Sequence, residues 1–252
     1  MGAVPALGGS GWLLLLSSPI LGSFVGVLIR RLPDGLPIAC GRSACEACGT
    51  VLTAPDLVPI VSWLAMRGRC RHCRAPLGWF YPAVEVAAVA VAGVSLALDR
   101  GADAWLDALF GLWLLALAWI DLRCWLLPDF LTLPLIGVGL VAAALWAPGD
   151  LGDRVAGAVC GYLGLRLAGW AYRRWRGRDG LGGGDAKLLA AAGAWVGATG
   201  LPTMVFGGAA TALAVVAVLA LGGRPLRRDT AVPFGPFLAL AAWLVWLFGP
   251  LM

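Results

Sequence analysis

The sequence predicts an all-α polytopic membrane protein, with about eight transmembrane helices and a small zinc-binding loop between the first two. Composition predicts the membrane class, and cysteine spacing predicts the loop. Of the 252 residues, 60% are hydrophobic and only 13% are charged, and the mean hydropathy is +0.86. Soluble domains carry about 45–50% apolar and about 25% charged residues. The composition therefore excludes a soluble globule, a disordered chain and a disulfide-rich secreted module.

Eight apolar stretches approach the length of about 20 residues that a transmembrane helix needs. The division between the sixth and seventh rests on Pro202, which suits a turn or a helix start, because one helix over 186–221 would be too long for a bilayer. The expected spans are Gly11–Ile29, Tyr81–Leu98, Ala104–Ile120, Phe130–Ala147, Val155–Tyr172, Ala186–Gly200, Leu201–Leu221 and Ala231–Leu251.

The basic residues predict the orientation of these spans. Sixteen of the 19 Lys and Arg residues fall in alternate loops, seven of them between Arg30 and Phe80. Such loops are cytoplasmic by the positive-inside rule, so both termini face the opposite side. Eight spans, an even number, likewise require both termini to lie on the same side of the membrane. The first stretch lacks a basic segment before it and is interpreted as a retained span, not a cleaved signal peptide.

Four of the seven cysteines form two CxxC pairs in the predicted cytoplasmic loop. Such pairs let four thiolates converge on one tetrahedral zinc ion, since each short turn brings two sulfurs to the same side. The cytoplasm keeps thiols reduced, which argues against disulfides. Structural zinc is therefore preferred over a loop without metal and over redox or iron chemistry. The predicted ligands are Cys45, Cys48, Cys70 and Cys73. No clear internal repeat is visible in the sequence.

His72 is the only histidine and lies inside the second CxxC pair. This position argues against a hydrolase with a Ser-His-Asp or Cys-His site in the membrane. The HExxH motif of zinc metalloproteases is absent.

Two aspartates mark the predicted cytoplasmic ends of spans. Asp121 closes the third span, and Asp185 opens the sixth after a glycine-rich stretch. Ionisable groups at the bilayer are costly and point to function. Two neighbouring carboxylates do not both ionise easily, so they share a proton, as in aspartic proteases. An N-cap is the competing interpretation for Asp185, and Asp129 is expected to cap the next span. Glu85, just inside the second span, is expected to pair with an arginine or to contact a cofactor.

Seven blocks, in order, resemble those of the type IV prepilin peptidase family. Two small departures are Glu46, where the family usually has proline, and Leu57-Val58-Pro59, which lacks an asparagine. The blocks are Gly22-Ser23-Phe24 with Arg30-Arg31-Leu32-Pro33; Arg42-Ser43-x-Cys45-x-x-Cys48; Pro59-Ile60-Val61-Ser62-Trp63-Leu64 with Arg67-Gly68-Arg69-Cys70-Arg71-x-Cys73; Tyr81-Pro82-x-x-Glu85; Ile120-Asp121 with Leu126-Leu127-Pro128-Asp129 and Leu131-Thr132-Leu133-Pro134; the GxGD signature Gly182-x-Gly184-Asp185-x-Lys187-Leu188; and Pro233-Phe234-Gly235-Pro236-Phe237.

The resemblance implies a bifunctional enzyme of the bacterial inner membrane. Asp121 and Asp185 would cleave the basic leader from type IV prepilins and type II secretion pseudopilins at the cytoplasmic face. The new N-terminal residue would then be methylated from S-adenosylmethionine. The implied organisation is a first helix over residues 1–29, a zinc loop over 30–80 and a seven-helix peptidase domain over 81–252. The S-adenosylmethionine site is unassigned, and Glu85 is the one candidate.

Three alternatives stay open on the sequence. The chain could cleave without methylating. It could be a transporter that uses the aspartates as a proton relay, although both then share one face instead of lining the midplane. The zinc loop could bind nucleic acid, but the positive-inside rule already accounts for its arginines.

Overall fold

The computed structural model describes residues 9–38, 41–98, 102–177, 182–222 and 232–250. These ranges are mostly α-helical, and the described residues form no β-strand beyond two isolated bridges, which confirms the predicted class. Their α-helices are α1 Gly9–Arg31, α2 Val61–Ala65, α3 Phe80–Leu98, α4 Ala102–Cys124, α5 Asp129–Trp146, α6 Leu151–Arg176, α7 Gly183–Leu221 and α8 Gly235–Phe248.

Within the described residues, five helices are long and apolar enough to cross a membrane, namely α1, α3, α4, α5 and α7. The chain is therefore a membrane protein. Helix α6 has the length of a span but is less apolar, since Arg154 and Arg166 lie within it. Helix α8 is apolar but shorter than the predicted last span, whose first and last residues lie outside the described residues.

Helix α7 is two helical segments joined at Gly197, where φ is 79° and ψ is 174°. The contacts of α8 give the direction of each segment. Gly200 lies against Val245, near the end of α8, and Gly208 lies against Leu238, near its start. The second segment therefore runs antiparallel to α8. The first segment runs the other way, from Asp185 near the start of α8 to Trp195, whose ring lies 5.4 Å from that of Trp246 near its end.

The chain thus reverses at Gly197, so the two predicted spans over 186–221 are two segments. The predicted division at Gly200–Pro202 was placed three residues too late. A positive φ favours glycine, which lacks a Cβ, and Pro202 lies inside the second segment. The Arg154 guanidinium donates to the carbonyl of Trp195. It thereby satisfies a carbonyl that the break leaves without its usual helical partner.

The chain divides into two compact units, residues 1–112 and 113–252. In the first unit, α1 and α3 pack antiparallel. Gly22 allows this close approach, because a Cβ at its position would lie 2.7 Å from the Cβ of Ala88. At one end of the pair, the Arg30 guanidinium lies 5.0 Å from the ring centre of Phe80 and pairs with Glu46 in the loop. Glu46, the departure from the family pattern, therefore has a partner in this chain.

In the second unit, four helix termini lie at one end of the bundle. The end of α4 meets the start of α8 through Asp121 and Gly235. The starts of α5 and α7 are joined by the ion pair of Asp129 and Lys187. Helix α6 runs antiparallel to the first segment of α7, since Gly157 lies against Gly193 and Gly161 against Leu189. It passes the start of α7 and continues to Arg176. Polar residues that lie far apart in sequence are thereby brought to one level.

Candidate metal centre and active site

The two CxxC pairs form hairpins with the same hydrogen bonds. The N–H of Cys45 donates to the carbonyl of Thr50 at 3.0 Å, and the N–H of Cys70 donates to that of Ala75 at 2.8 Å. The loop therefore contains a short structural repeat, which the sequence analysis missed because few residues are shared between its copies. Antiparallel bridges close both hairpins, Ala44 with Val51 and Arg69 with Pro76.

The four predicted ligands converge on one point. The Sγ atoms of Cys45, Cys48, Cys70 and Cys73 all lie within 4.8 Å of one another, and the Sγ atoms of Cys45 and Cys73 are 3.8 Å apart. Four thiolates at about 2.3 Å from a tetrahedral zinc ion are separated by about 3.8 Å. The donor set and its spacing therefore fit zinc, as predicted. Cys40 lies outside the described residues.

Hydrogen bonds prepare two of these thiols for metal binding. Hydrogen bonds from the hydroxyl and then the backbone N–H of Thr50 lower the pKa of Cys48 to about 6. The backbone N–H groups of Cys73 and His72 lower the pKa of Cys70. Zinc binds the thiolate, so both shifts favour the ligand form near neutral pH.

A buried carboxylate, Asp56, ties the segment between the hairpins to the second hairpin. Its Oδ2 accepts from the hydroxyl of Thr53 at 2.6 Å and from the Thr53 N–H at 3.1 Å. Its Oδ1 lies 2.9 Å from the Arg71 guanidinium. The Thr53 hydrogen bonds, followed by the positive charge of Arg71, hold the pKa of Asp56 below its ordinary value.

Glu85 holds the loop against α3. This side chain is buried, and its Oε2 accepts a hydrogen bond from the backbone N–H of Ile60 at 2.7 Å. Ile60 has a φ of 61°, a conformation that costs a non-glycine residue energy unless its surroundings hold it. The expected arginine partner is therefore replaced by a backbone N–H. A cofactor contact for Glu85 stays a prediction.

Asp121 lies at the end of α4 and is 6% exposed. Its Oδ2 accepts a hydrogen bond from the backbone N–H of Gly235 at 3.0 Å. Gly235 is the first residue of α8, where backbone N–H groups lack helical partners and the helix dipole favours an anion. A Cβ at Gly235 would lie 2.6 Å from that Oδ2, so only glycine lets the carboxylate reach this amide without a shift.

Asp185 lies in the first turn of α7 and is half-buried. It lies close enough to Asp121 for Coulombic repulsion between the two carboxylates. The structure therefore places the two aspartates predicted from sequence within electrostatic range of each other. The neighbouring glycines give room: a Cβ at Gly182 would lie 3.1 Å from Oδ2 of Asp185, and one at Gly184 would lie 3.1 Å from the Cβ of Leu127.

Asp129 was expected to cap α5, and that expectation was wrong. Pro128 is the N-cap residue and Asp129 is the first helical residue. The Asp129 Oδ1 instead lies 2.5 Å from the Nζ of Lys187, two residues beyond Asp185. This ion pair fixes the start of α7 against the start of α5, and it gives the lysine that follows the GxGD signature a positioning role.

A largely apolar groove of about 470 Å³ lies next to these residues. One wall is formed by α6 and another by both segments of α7. Phe234, which precedes the Asp121 partner Gly235, lines it, as does Leu189, one turn beyond Asp185. The remaining lining residues are Cys160, Gly161, Gly164, Leu165, Ala168, Leu201, Pro202 and Val205.

The Pro233–Phe237 block is recognisable in the sequence, but nothing in the sequence assigned a role to Gly235. Its available signal was a glycine followed by proline directly before an apolar run, which is typical of a helix start. That signal locates the helix but not the carboxylate bound to it, because Asp121 lies more than a hundred residues away in sequence.

The fold and the site define a helical integral-membrane protein with a pair of aspartates at converging helix ends and a four-cysteine loop. Residues 16–98 match the bacterial peptidase A24 N-terminal domain, and residues 108–218 match the type IV leader peptidase family. The chain belongs to this family. Membership confirms the resemblance drawn from the sequence motifs and the predicted enzyme class, a peptidase.

Similar proteins cover nearly the whole chain. The chain is 42% identical to a prepilin leader peptidase/N-methyltransferase of Burkholderia pseudomallei strain K96243, over 91% of this chain and 82% of the relative. A protein of the same name from Aeromonas hydrophila is 39% identical, over 94% and 90%. One from Pseudomonas aeruginosa is 35% identical, over 91% and 87%. No solved structure matches the chain significantly.

We expect Asp56→Asn to release zinc to a competing chelator several-fold faster than the wild type at pH 7. Because the pKa of Asp56 is lowered in the folded protein, its carboxylate stabilises the loop at neutral pH. That contribution is lost as the pH falls through the folded-state pKa. Zinc release followed with a colorimetric indicator measures the effect. Asp34→Asn, at an exposed position in the same loop, is the control, and equal release rates for both variants would contradict the assigned role.

We expect Gly235→Ala to lower peptidase activity by about 10²-fold, the typical cost of displacing a reacting group by about 1 Å. The added methyl group overlaps the position of the Asp121 carboxylate. Leader cleavage by purified protein in detergent measures the effect. Gly137→Ala is the matched control, since a Cβ at that glycine meets no atom within 4 Å. Full activity in Gly235→Ala would show that the contact between Gly235 and Asp121 is dispensable.

Proposed function

We propose that Asp121 and Asp185 cleave the basic leader from type IV prepilins and type II secretion pseudopilins. The observation that supports this most directly is the pairing of two carboxylates, one of them buried on a helix N-terminus, at one end of the membrane bundle. An isolated buried carboxylate is costly. Paired carboxylates are the groups that peptide hydrolysis without a covalent intermediate requires.

In the proposed reaction one aspartate is ionised and the other is protonated. The ionised carboxylate takes a proton from a water molecule, whose oxygen attacks the carbonyl carbon of the scissile peptide. The protonated carboxyl group donates its proton to the carbonyl oxygen as the tetrahedral intermediate forms. The intermediate then collapses: the C–N bond breaks, the nitrogen receives the proton held by the first aspartate, and the hydroxyl proton returns to the second. Neither aspartate forms a bond to the substrate.

We propose that the groove beside the aspartates receives the apolar segment that follows the cleavage site. Phe234 and Leu189 connect the groove to the residues around the aspartates. Its volume of about 470 Å³ lies in the range of about 300–1,000 Å³ typical of binding pockets. An apolar helix can approach closely here because small residues of α6 line the wall.

We propose that the same chain then methylates the new N-terminal residue, with S-adenosylmethionine as the methyl donor. The zinc loop over residues 30–80 is assigned to this half of the function. The first helix over 1–29 would anchor the loop, and residues 81–252 would form the peptidase domain. The four cysteines would hold the zinc in a structural role, since four thiolates leave no open coordination position. Glu85 is the candidate contact to the methyl donor.

We place the protein in the bacterial inner membrane, with both termini in the periplasm and the loop and the aspartates at the cytoplasmic face. The basic residues of the loop and those at the end of α6, Arg173, Arg174 and Arg176, support this orientation through the positive-inside rule. The basic leader of a substrate is cytoplasmic, so the proposed scissile bond and the aspartates share one face.

Mass spectrometry of a prepilin mixed with the purified protein tests both activities. We expect leader loss with the wild type and less than about 1% of that rate with Asp121→Asn or Asp185→Asn, since each removes an acid–base group worth about 10²–10⁴-fold. We expect the mass of one added methyl group only when S-adenosylmethionine is present. Cleavage without methylation would limit the function to a peptidase. A wild type that cleaves no prepilin or pseudopilin would contradict the proposal and favour the transport alternative.

We expect Gly164→Leu to raise the KM for a full-length prepilin several-fold and to leave kcat nearly unchanged. A Cβ at Gly164 meets no atom within 4 Å, so the leucine fills the groove without straining the helix. A soluble peptide that contains the cleavage site but no apolar helix should be cleaved as by the wild type. Gly152→Leu, at another open glycine of α6 outside the groove, is the control. An unchanged KM for the full-length prepilin in Gly164→Leu would contradict the assigned groove.

A further inference from the structure

The hydrogen bond between Glu85 and Ile60 sets the depth of the loop relative to the membrane. Helix α3 has 19 residues, about 28 Å at 1.5 Å per residue, nearly the thickness of about 30 Å of a bilayer core. Its first residue, Phe80, therefore lies near the hydrocarbon boundary. Glu85 is five residues further along α3, so its backbone lies about 7 Å inside the hydrocarbon boundary. Its side chain lies a few ångströms nearer that boundary, because helical side chains lean back toward the N-terminus. Since Ile60 bonds Glu85 at 2.7 Å, its backbone lies at or slightly below the boundary.

The residues around Ile60 expose an apolar surface at this depth. Four side chains between residues 57 and 64 are 44–61% exposed: Leu57, Val58, Val61 and Leu64. Val61 and Leu64 are three residues apart on α2, so they share one face of that helix. Large apolar side chains this exposed, and this close together, mark an interaction surface.

The edge of this surface carries the residue types that prefer the membrane interface. The rings of Trp63 and Trp79 lie 4.3 Å apart, and Trp79 directly precedes α3 and is 73% exposed. The Trp63 Nε1–H donates to the carbonyl of Gly78 at 2.9 Å, which fixes α2 beside the start of α3. Tryptophan is enriched where headgroups meet acyl chains. The exposed Arg67 and Arg69 follow α2 and are available to phosphate groups.

We propose that residues 57–64 form a membrane-interface anchor, with Leu57, Val58, Val61 and Leu64 inserted at the headgroup–acyl boundary of an anionic phospholipid bilayer. Continuity with α3, through Glu85 and the Trp63–Trp79 pair, identifies the bilayer as the occupant of this surface. The zinc loop therefore lies flat on the membrane. The anchor attaches it there in addition to the two flanking helices, α1 and α3. This inference is independent of the peptidase and methyltransferase activities.

Photolabelling of the unaltered, zinc-loaded chain tests the anchor. The probe is a phospholipid with a diazirine near the top of its acyl chain, in nanodiscs of phosphatidylethanolamine and phosphatidylglycerol. We expect lipid adducts on residues 57–64 comparable in yield to those on α1 and α3. Val51, an exposed valine of the same loop, provides the internal control and should carry few. Adducts on α1 and α3 but none on 57–64 would overturn the proposal.

Charge substitutions give the second measurement. We expect the Val61→Asp, Leu64→Asp double variant to lose at least about fivefold of the adduct yield on residues 57–64, since two carboxylates replace apolar contact area and are repelled by anionic headgroups. Val51→Asp should leave that yield unchanged. The zinc content of both variants, measured by atomic absorption, shows that the loop is folded. An unchanged yield in the zinc-loaded double variant would overturn the anchor, as would labelling of residues 57–64 that disappears when a prepilin is added and therefore marks a protein-binding surface.

Discussion

The hydrogen bond from Gly235 to Asp121 is the interaction on which the arrangement of the second unit depends. A carboxylate at the membrane end of a helix needs partners inside the protein, because lipid supplies none. The N-terminus of α8 supplies an unpaired N–H and the positive end of a dipole. Bringing α8 to the end of α4 also brings the start of α7 there, and with it Asp185. The same contact therefore satisfies a costly buried group and assembles the candidate active site.

The reversal of the chain at Gly197 makes this convergence possible. After the reversal, the second segment of α7 runs back along α8. Helix α8 therefore packs against both segments of α7. The break leaves carbonyls without helical partners, and Arg154 supplies one donor while its guanidinium lies 5.2 Å from the ring centre of Trp246. Trp195 adds a buried hydrogen bond from Nε1 to the carbonyl of Leu135, at 3.0 Å. Glycine, arginine and tryptophan thus stabilise a turn that apolar packing alone would not hold.

The four-cysteine loop obtains its order from hydrogen bonds and converging polar groups instead of an apolar core. Its two hairpins repeat one backbone pattern, and a buried carboxylate, Asp56, joins the segment between them to the second hairpin. A segment this short buries too little apolar surface to fold by the hydrophobic effect alone. Because the loop does not depend on an apolar core, its exposed apolar residues can form a surface. We assign that surface to the membrane.

The sequence by itself predicted the membrane class and most helix positions, and it singled out the four cysteines that converge in the loop and the two aspartates proposed for catalysis. Apolar runs, CxxC spacing and ordered motifs are local in the chain, and each has a direct physical meaning. Tertiary structure decided what depends on distant partners: the Gly235 contact of Asp121, the pairing of Asp129 with Lys187 in place of an N-cap, and the Ile60 contact of Glu85. It also decided that the chain reverses at Gly197 and not at Pro202. A polar side chain at a helix end has several possible partners, and only the packing of the helices selects among them.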